Sequence, residues 1–184
     1  MKRKNWPMRI LCAFVFLCMS GLIMLSIYTL SSEEGELSAN RSSIVTEALK
    51  EEITEKLSNT PEGWYLSERI KAKVIQYSPY GSDWESNVRK LGHFTIYFAL
   101  ATMAYITLAI LGVGKVGRIF LVLLFCGFFA VGDEIHQGQV AGRVMAKLDV
   151  IIDFMGAFLS VFLLTFFSIL YSAIAWIGKS IFNS

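Results

Sequence analysis

From Ile10 to Leu30 the chain carries no charged residue. That run constrains the fold most, because about 20 apolar residues in a helix cross the roughly 30 Å hydrocarbon core of a bilayer. Lipid offers no hydrogen bonds, so each backbone N–H and C=O must be satisfied within the structure. Three more blocks repeat the pattern: Leu91 to Gly114, between Lys90 and Lys115; the stretch after Arg118 up to Gly132, which meets Asp133 and Glu134; and Phe154 to Gly178, closed by Lys179. The chain is therefore read as an all-α membrane protein with about four transmembrane helices. Of its 184 residues 54% are hydrophobic, against about 45–50% in a soluble domain, and the excess sits in these blocks. A net charge of +2 gives no reason to expect a nucleic-acid partner. Cys12, Cys18 and Cys126 all lie in apolar blocks, which leaves no disulfide framework and no CxxC metal pair.

The first block is longer than the apolar region of a signal peptide and lacks a following A-x-A site, so an uncleaved anchor is expected. Three parts follow: a tail and first span over 1–30, an extracytoplasmic segment over 31–89, and a three-helix membrane core over 90–184. Lys2, Arg3, Lys4 and Arg9 precede the first span, Lys115 and Arg118 lie between the second and third, and Lys179 follows the fourth. The positive-inside rule then puts both termini in the cytoplasm of a multi-pass cell-membrane protein. Within 31–89, Ile44, Val45, Ala48, Leu49, Ile53 and Leu57 oppose Glu47, Glu51 and Glu55, the pattern of an amphipathic helix that packs on the bundle or the membrane surface. Thr60-Pro-Glu-Gly63, Ser78-Pro-Tyr-Gly81 and the stretch from Gly112 to Gly117 read as turns. The last of these makes spans two and three an antiparallel hairpin.

Of the fifteen acids, all but Asp133, Glu134, Asp149 and Asp153 lie in 31–89. Ionisable groups near a span are costly and mark function by default. Lys90, His93 and Tyr97 share one face at the start of span two, Asp133 and Gln137 share a face at the end of span three, and Asp149 and Asp153 share one at the start of span four. With four spans these ends meet at one level, on the outer side. From Arg118 to Asp133 a helix rises only roughly 22 Å at 1.5 Å per residue, so the acids sit below the surface and need Arg143, Lys90 or His93 as partners. Arg143 is expected to reach Asp149. His93, Glu134, His136 and Asp149 offer metal donors, but His136 points about 200° round the helix from Glu134, so no metal and no cofactor are expected.

These residues resemble the VanZ-like family of bacterial membrane proteins. The resembling segments are Arg89-Lys-Leu-Gly-His-Phe-Thr-Ile-Tyr97 with Leu100, then Asp133-Glu-Ile-His-Gln137, Gly142-Arg143, and Asp149-Val-Ile-Ile-Asp-Phe-Met-Gly156. The family pattern reads K-x2-H-x3-Y-x2-L, D-E-x2-Q, an Arg, then D-x3-N-x2-G, and the likeness covers about residues 86–165. This chain has Asp153 where Asn is usual, and no Pro between Gln137 and Arg143. The resemblance implies a cell-envelope protein, with a link to resistance against teicoplanin-type glycopeptides.

Two functions are consistent with these residues. In one, Lys90, Tyr97, Gln137, Arg143, Asp149 and Asp153 bind an amphiphile at the outer leaflet, such as a lipid-linked cell-wall precursor or a glycopeptide, among membrane lipids. Arg offers a planar fork for an anionic head group, and Glu134, Asp133 and His93 are the candidates for acid–base catalysis; whether a reaction occurs is left open. In the other, the cluster is structural or docks a membrane-protein partner, and the protein is a non-catalytic scaffold.

Overall fold

The computed structural model describes residues 6–57, 60–78 and 80–182. Lys2, Arg3, Lys4 and Pro79 lie outside them, as do the side chains of Ile53, Leu57 and Lys179. Six helices follow one another: α1 Trp6–Ser31, α2 Gly35–Leu57, α3 Pro61–Tyr77, α4 Trp84–Ile110, α5 Lys115–Gln137 and α6 Lys147–Phe182, with no strand among the described residues. Four of them, α1, α4, α5 and α6, are long and apolar enough to cross a membrane, as the four blocks require. The spans extend beyond those blocks. α5 runs on through Asp133 and Glu134 to Gln137, and α6 starts at Lys147, taking in Asp149 and Asp153.

Polar contacts at both ends fix the directions of these helices. Arg9, near the start of α1, donates from Nε to the carbonyl of Ile110 at the end of α4 (3.1 Å). Lys115, at the start of α5, reaches the carbonyl of Ser168 late in α6 (3.3 Å). Gln137, at the end of α5, donates to Ser31 at the end of α1 (3.2 Å). Hence α1 and α5 run one way, and α4 and α6 the other. α4 is central, packing most extensively on α6 and then on α1. Between α4 and α6 the backbones meet where Gly156 faces Phe94; a Cβ on Gly156 would collide with the Phe94 carbonyl. Small residues allow such approaches where lipid supplies no hydrophobic push. Hydroxyl pairs Thr102–Ser160 (2.7 Å) and Tyr105–Thr165 (3.1 Å) tie the same two helices deeper in.

The buried core comprises Tyr97, Leu100, Ala101, Val122, Cys126, Ala130, Ala157 and Val161, with Ile27 from α1. Large apolar side chains such as Phe120, Phe128, Phe158 and Phe167 point outward, as a surface solvated by acyl chains demands.

Two local expectations are corrected. Thr60-Pro61-Glu62-Gly63 is the start of α3: the Thr60 hydroxyl accepts the N–H of Gly63 (3.1 Å) and Pro61 occupies the first turn, where its missing N–H costs nothing. In α2, Ile44 is 60% exposed while Thr46 is 2% and Ser42 8% exposed. The most buried side chains of α2 are thus hydroxyl-bearing, and the exposed part of the apolar stripe is compatible with the membrane-surface alternative. The turn between α4 and α5 is shorter than its glycines suggested, spanning residues 111–114.

Candidate functional site

The ends of α1 and α5 and the starts of α4 and α6 lie at one level, and there the polar residues meet. Lys90 of α4 forms an ion pair with Asp149 of α6, both nearly out of solvent. The second Asp149 oxygen accepts from the hydroxyl of Tyr80 (3.3 Å), whose ring also lies under the Lys90 ammonium at 5.8 Å. Burial and then the Asp149 charge raise the pKa of Tyr80 above its ordinary 10.0, so it stays a donor. Lys90, rather than Arg143, is therefore the partner of Asp149. The parallel course of α4 and α6 brings their first turns side by side, whereas Arg143 is drawn towards α1.

Arg143 donates to the carbonyls of Leu30 (3.0 Å) and Glu33 (2.9 Å), and to Oε1 of Gln137 (3.0 Å). It thereby satisfies a carbonyl left open at the end of α1. Gln137 in turn donates to Asp133 Oδ2 (3.0 Å), the i, i+4 pair expected from their spacing. Glu134 accepts from the N–H of Ala146 (2.5 Å), next to the start of α6. His93 Nδ1 stands 3.4 Å from Asp153 Oδ1, one turn deeper than the Lys90–Asp149 pair. Tyr97, fully buried, has no hydrogen-bond partner for its hydroxyl among the described residues. His136 is held apart: it bonds Ser32 (2.9 Å) and stacks on Tyr28 at 4.8 Å, so it braces α1.

Two adjoining cavities open on this cluster. One, of about 220 Å³, runs between α1, α2 and α4 past Ile27, Leu30, Val45, Val88 and Ile96. The other, of about 250 Å³, is bordered by Tyr80, Lys90, Gln137, Ala146 and Asp149. Ser38, Arg89, His93 and Arg143 line both. Arg89 has no ion pair among the described residues. It lies near enough to Arg143 that its charge, after burial, lowers the pKa of that guanidinium. Of the three acid–base candidates, His93 lines both cavities, while Asp133 and Glu134 line neither. The sequence reading passed over Ser38, Arg41 and Arg89 as site residues. Arg89 had a signal, standing directly before Lys90; Ser38 and Arg41 had none, because they precede the apolar pattern that begins at Ile44.

Four membrane-spanning helices with a buried polar cluster at one end define a multi-pass integral membrane protein. The chain belongs to the VanZ/LLP1 family, whose model matches residues 14–169. That range takes in most of α1 and all of α2 and α3 as well as the motifs. Neither a search of curated proteins nor a search of solved structures finds a match.

Proposed function

We propose that this protein binds an anionic amphiphile at the outer leaflet of the bacterial cell membrane, with both termini cytoplasmic. The observation that carries this reading is the pair of cavities, one apolar and one polar, that share Arg89, His93 and Arg143. An acyl or prenyl chain fits the first, between α1 and α4, and a phosphate or carboxylate head fits the second. Two neighbouring guanidiniums, neither in an ion pair among the described residues, repel each other, and an anion adds to the partial relief that Glu33, Asp133 and Glu134 give Arg143. The ligand class is a lipid-linked cell-wall precursor or a lipoglycopeptide of the teicoplanin type, and the cellular outcome is resistance to the latter. His93 is placed to exchange a proton with the bound head group.

A second reading has support of its own. Arg143 and Glu134 spend hydrogen bonds on backbone groups of α1 and of the α5–α6 loop, as scaffold ties would. Binding separates the two. Purified protein in detergent should bind a short-chain polyprenyl diphosphate at least about tenfold more tightly than the matching alcohol, a charge-assisted contribution of roughly 1.4 kcal/mol. Arg89→Gln should remove that preference and, in a susceptible bacterium, any protection against teicoplanin. Equal affinity for diphosphate and alcohol refutes the amphiphile reading. Unchanged teicoplanin sensitivity on expression of the unmodified protein refutes the resistance.

A further inference from the structure

We propose that His93, Asp133 and Asp153 form a binding site for a divalent first-row transition-metal ion, from three different helices. One donor atom from each residue lies within 4.8 Å of the other two. Two ligands on a tetrahedral ion at roughly 2.1 Å stand about 3.4 Å apart, and His93 Nδ1 and Asp153 Oδ1 are already 3.4 Å apart. That distance is long for a charge-assisted hydrogen bond and right for two ligands of one ion.

The second observation is the set of buried polar atoms that nothing satisfies. His93 Nδ1, Asp153 Oδ1 and the Tyr97 hydroxyl are each buried without a hydrogen-bond partner among the described residues. Asp153 is 2% exposed and Tyr97 fully buried. Tyr97 lies one turn below His93, and Asp133 and Asp153 are its strongest charged neighbours. Buried polar atoms of native proteins are satisfied by protein, water or an ion. His93 Nδ1 and Asp153 Oδ1, meeting from α4 and α6 without a hydrogen bond, therefore call for an occupant.

Charge points the same way. Lys90 is engaged by Asp149, and Arg143 by Gln137 and two backbone carbonyls. Asp133 is met by the neutral Gln137 amide. Of the two nearly buried carboxylates, Asp153 faces the His93 imidazole and Asp133 has the Gln137 amide with the Arg143 charge farther off, and neither has an ion pair with a lysine or arginine among the described residues. A dication balances both and leaves His93 neutral, its ligating form. Imidazole with carboxylates suits zinc, manganese or iron. Access is provided because His93 lines both cavities. The ion site shares His93 with the amphiphile reading but needs no lipid.

The test is titration of EDTA-stripped, detergent-purified protein with Mn²⁺ and Zn²⁺, followed by calorimetry and elemental analysis. One ion per chain is expected. Asp133→Asn and Asp153→Asn should each bind at least about tenfold more weakly. His136→Ala, which removes the other histidine, should bind as the unmodified protein does. No stoichiometric binding of either ion below about 100 µM, or unchanged binding by both Asn variants, overturns the proposal. If those variants do not purify as monodisperse protein, X-ray absorption on the loaded unmodified protein decides. One imidazole with oxygen ligands supports the site; two imidazoles or a sulfur ligand overturn it.

Discussion

The two ends of the bundle solve one problem with similar cations and then diverge. At the plain end Arg9 covers the last carbonyl of α4 and Lys115 a carbonyl of α6; at the cluster end Arg143 covers Leu30 and Glu33. Arg9 and Arg143 satisfy carbonyls that the ends of α4 and α1 leave open, whereas Lys115 reaches a carbonyl inside α6. The plain end stops there, for no Asp or Glu occurs in residues 1–32, 98–132 or 154–184. The cluster end adds four carboxylates, a buried lysine, a histidine and an unpartnered tyrosine. Capping accounts for the arginines. It does not account for the acids, which cost desolvation energy that a helix end does not require. That difference is why the binding site is proposed at the cluster end.

The sharpest way to break this comparison is to ask which end faces out. Single cysteines replacing Glu62 and Val116, in protein lacking Cys12, Cys18 and Cys126, would be exposed to an impermeant thiol reagent on intact cells. We expect labelling at 62 and none at 116. Labelling at 116 alone turns the cluster towards the cytoplasm and removes the outer-leaflet ligand. A smaller effect compares the ion pair with the cap. Asp149→Asn strands the buried Lys90 ammonium and should cost about 3–5 kcal/mol. Arg9→Gln removes a solvent-exposed cap worth about 0–1 kcal/mol. Thermal unfolding in detergent should show a large loss for the first and a marginal one for the second, with Lys90→Met restoring part of the loss in the double variant. Equal losses would mean that the cluster is no more than another cap.

Much of the cluster was legible in the sequence because helical spacing is local. The i, i+4 relation of Asp133 and Gln137 became a hydrogen bond, and Lys90, His93 and Tyr97 do share a face of α4. The four spans were legible because bilayer thickness sets their length. Partner choice was not. Arg143 seemed the natural cation for Asp149 by proximity along the chain, yet Asp149 pairs across 59 positions with Lys90, since the pairing depends on which helices run parallel. The role of α2 was hidden for a different reason. Its apolar stripe left packing on the bundle and on the membrane surface equally open, and the residues of α2 that border the cavity include Ser38, Arg41 and Ser42 beside Val45, which an apolar pattern does not single out.

The smallest expected effect separates the two ends at their helix starts. At the cluster end α4 opens with Asp83, whose carboxylate accepts the N–H of Ser86 (3.1 Å) and its hydroxyl (2.6 Å). At the plain end α5 opens with Gly114, which makes no side-chain cap. The Ser86 hydroxyl and then its N–H hold the pKa of Asp83 below the ordinary 3.8, against slight desolvation. A depressed carboxylate contributes stability that is present above its unfolded pKa and is lost as pH falls through the folded one. The start of α4 should therefore loosen only below about pH 3.8, the unfolded value from which that loss begins. Asp83→Ala should loosen it at neutral pH by about 1 kcal/mol, some fivefold in local opening. Asp83→Asn keeps an acceptor that does not titrate, so it should leave the helix start capped at both pH values. Hydrogen exchange over residues 84–88, corrected for intrinsic rate, reads all three, and residues 115–119 serve as the reference that none of these changes should move. A matching pH response at 115–119 would trace the loosening to the bundle as a whole and not to the cap.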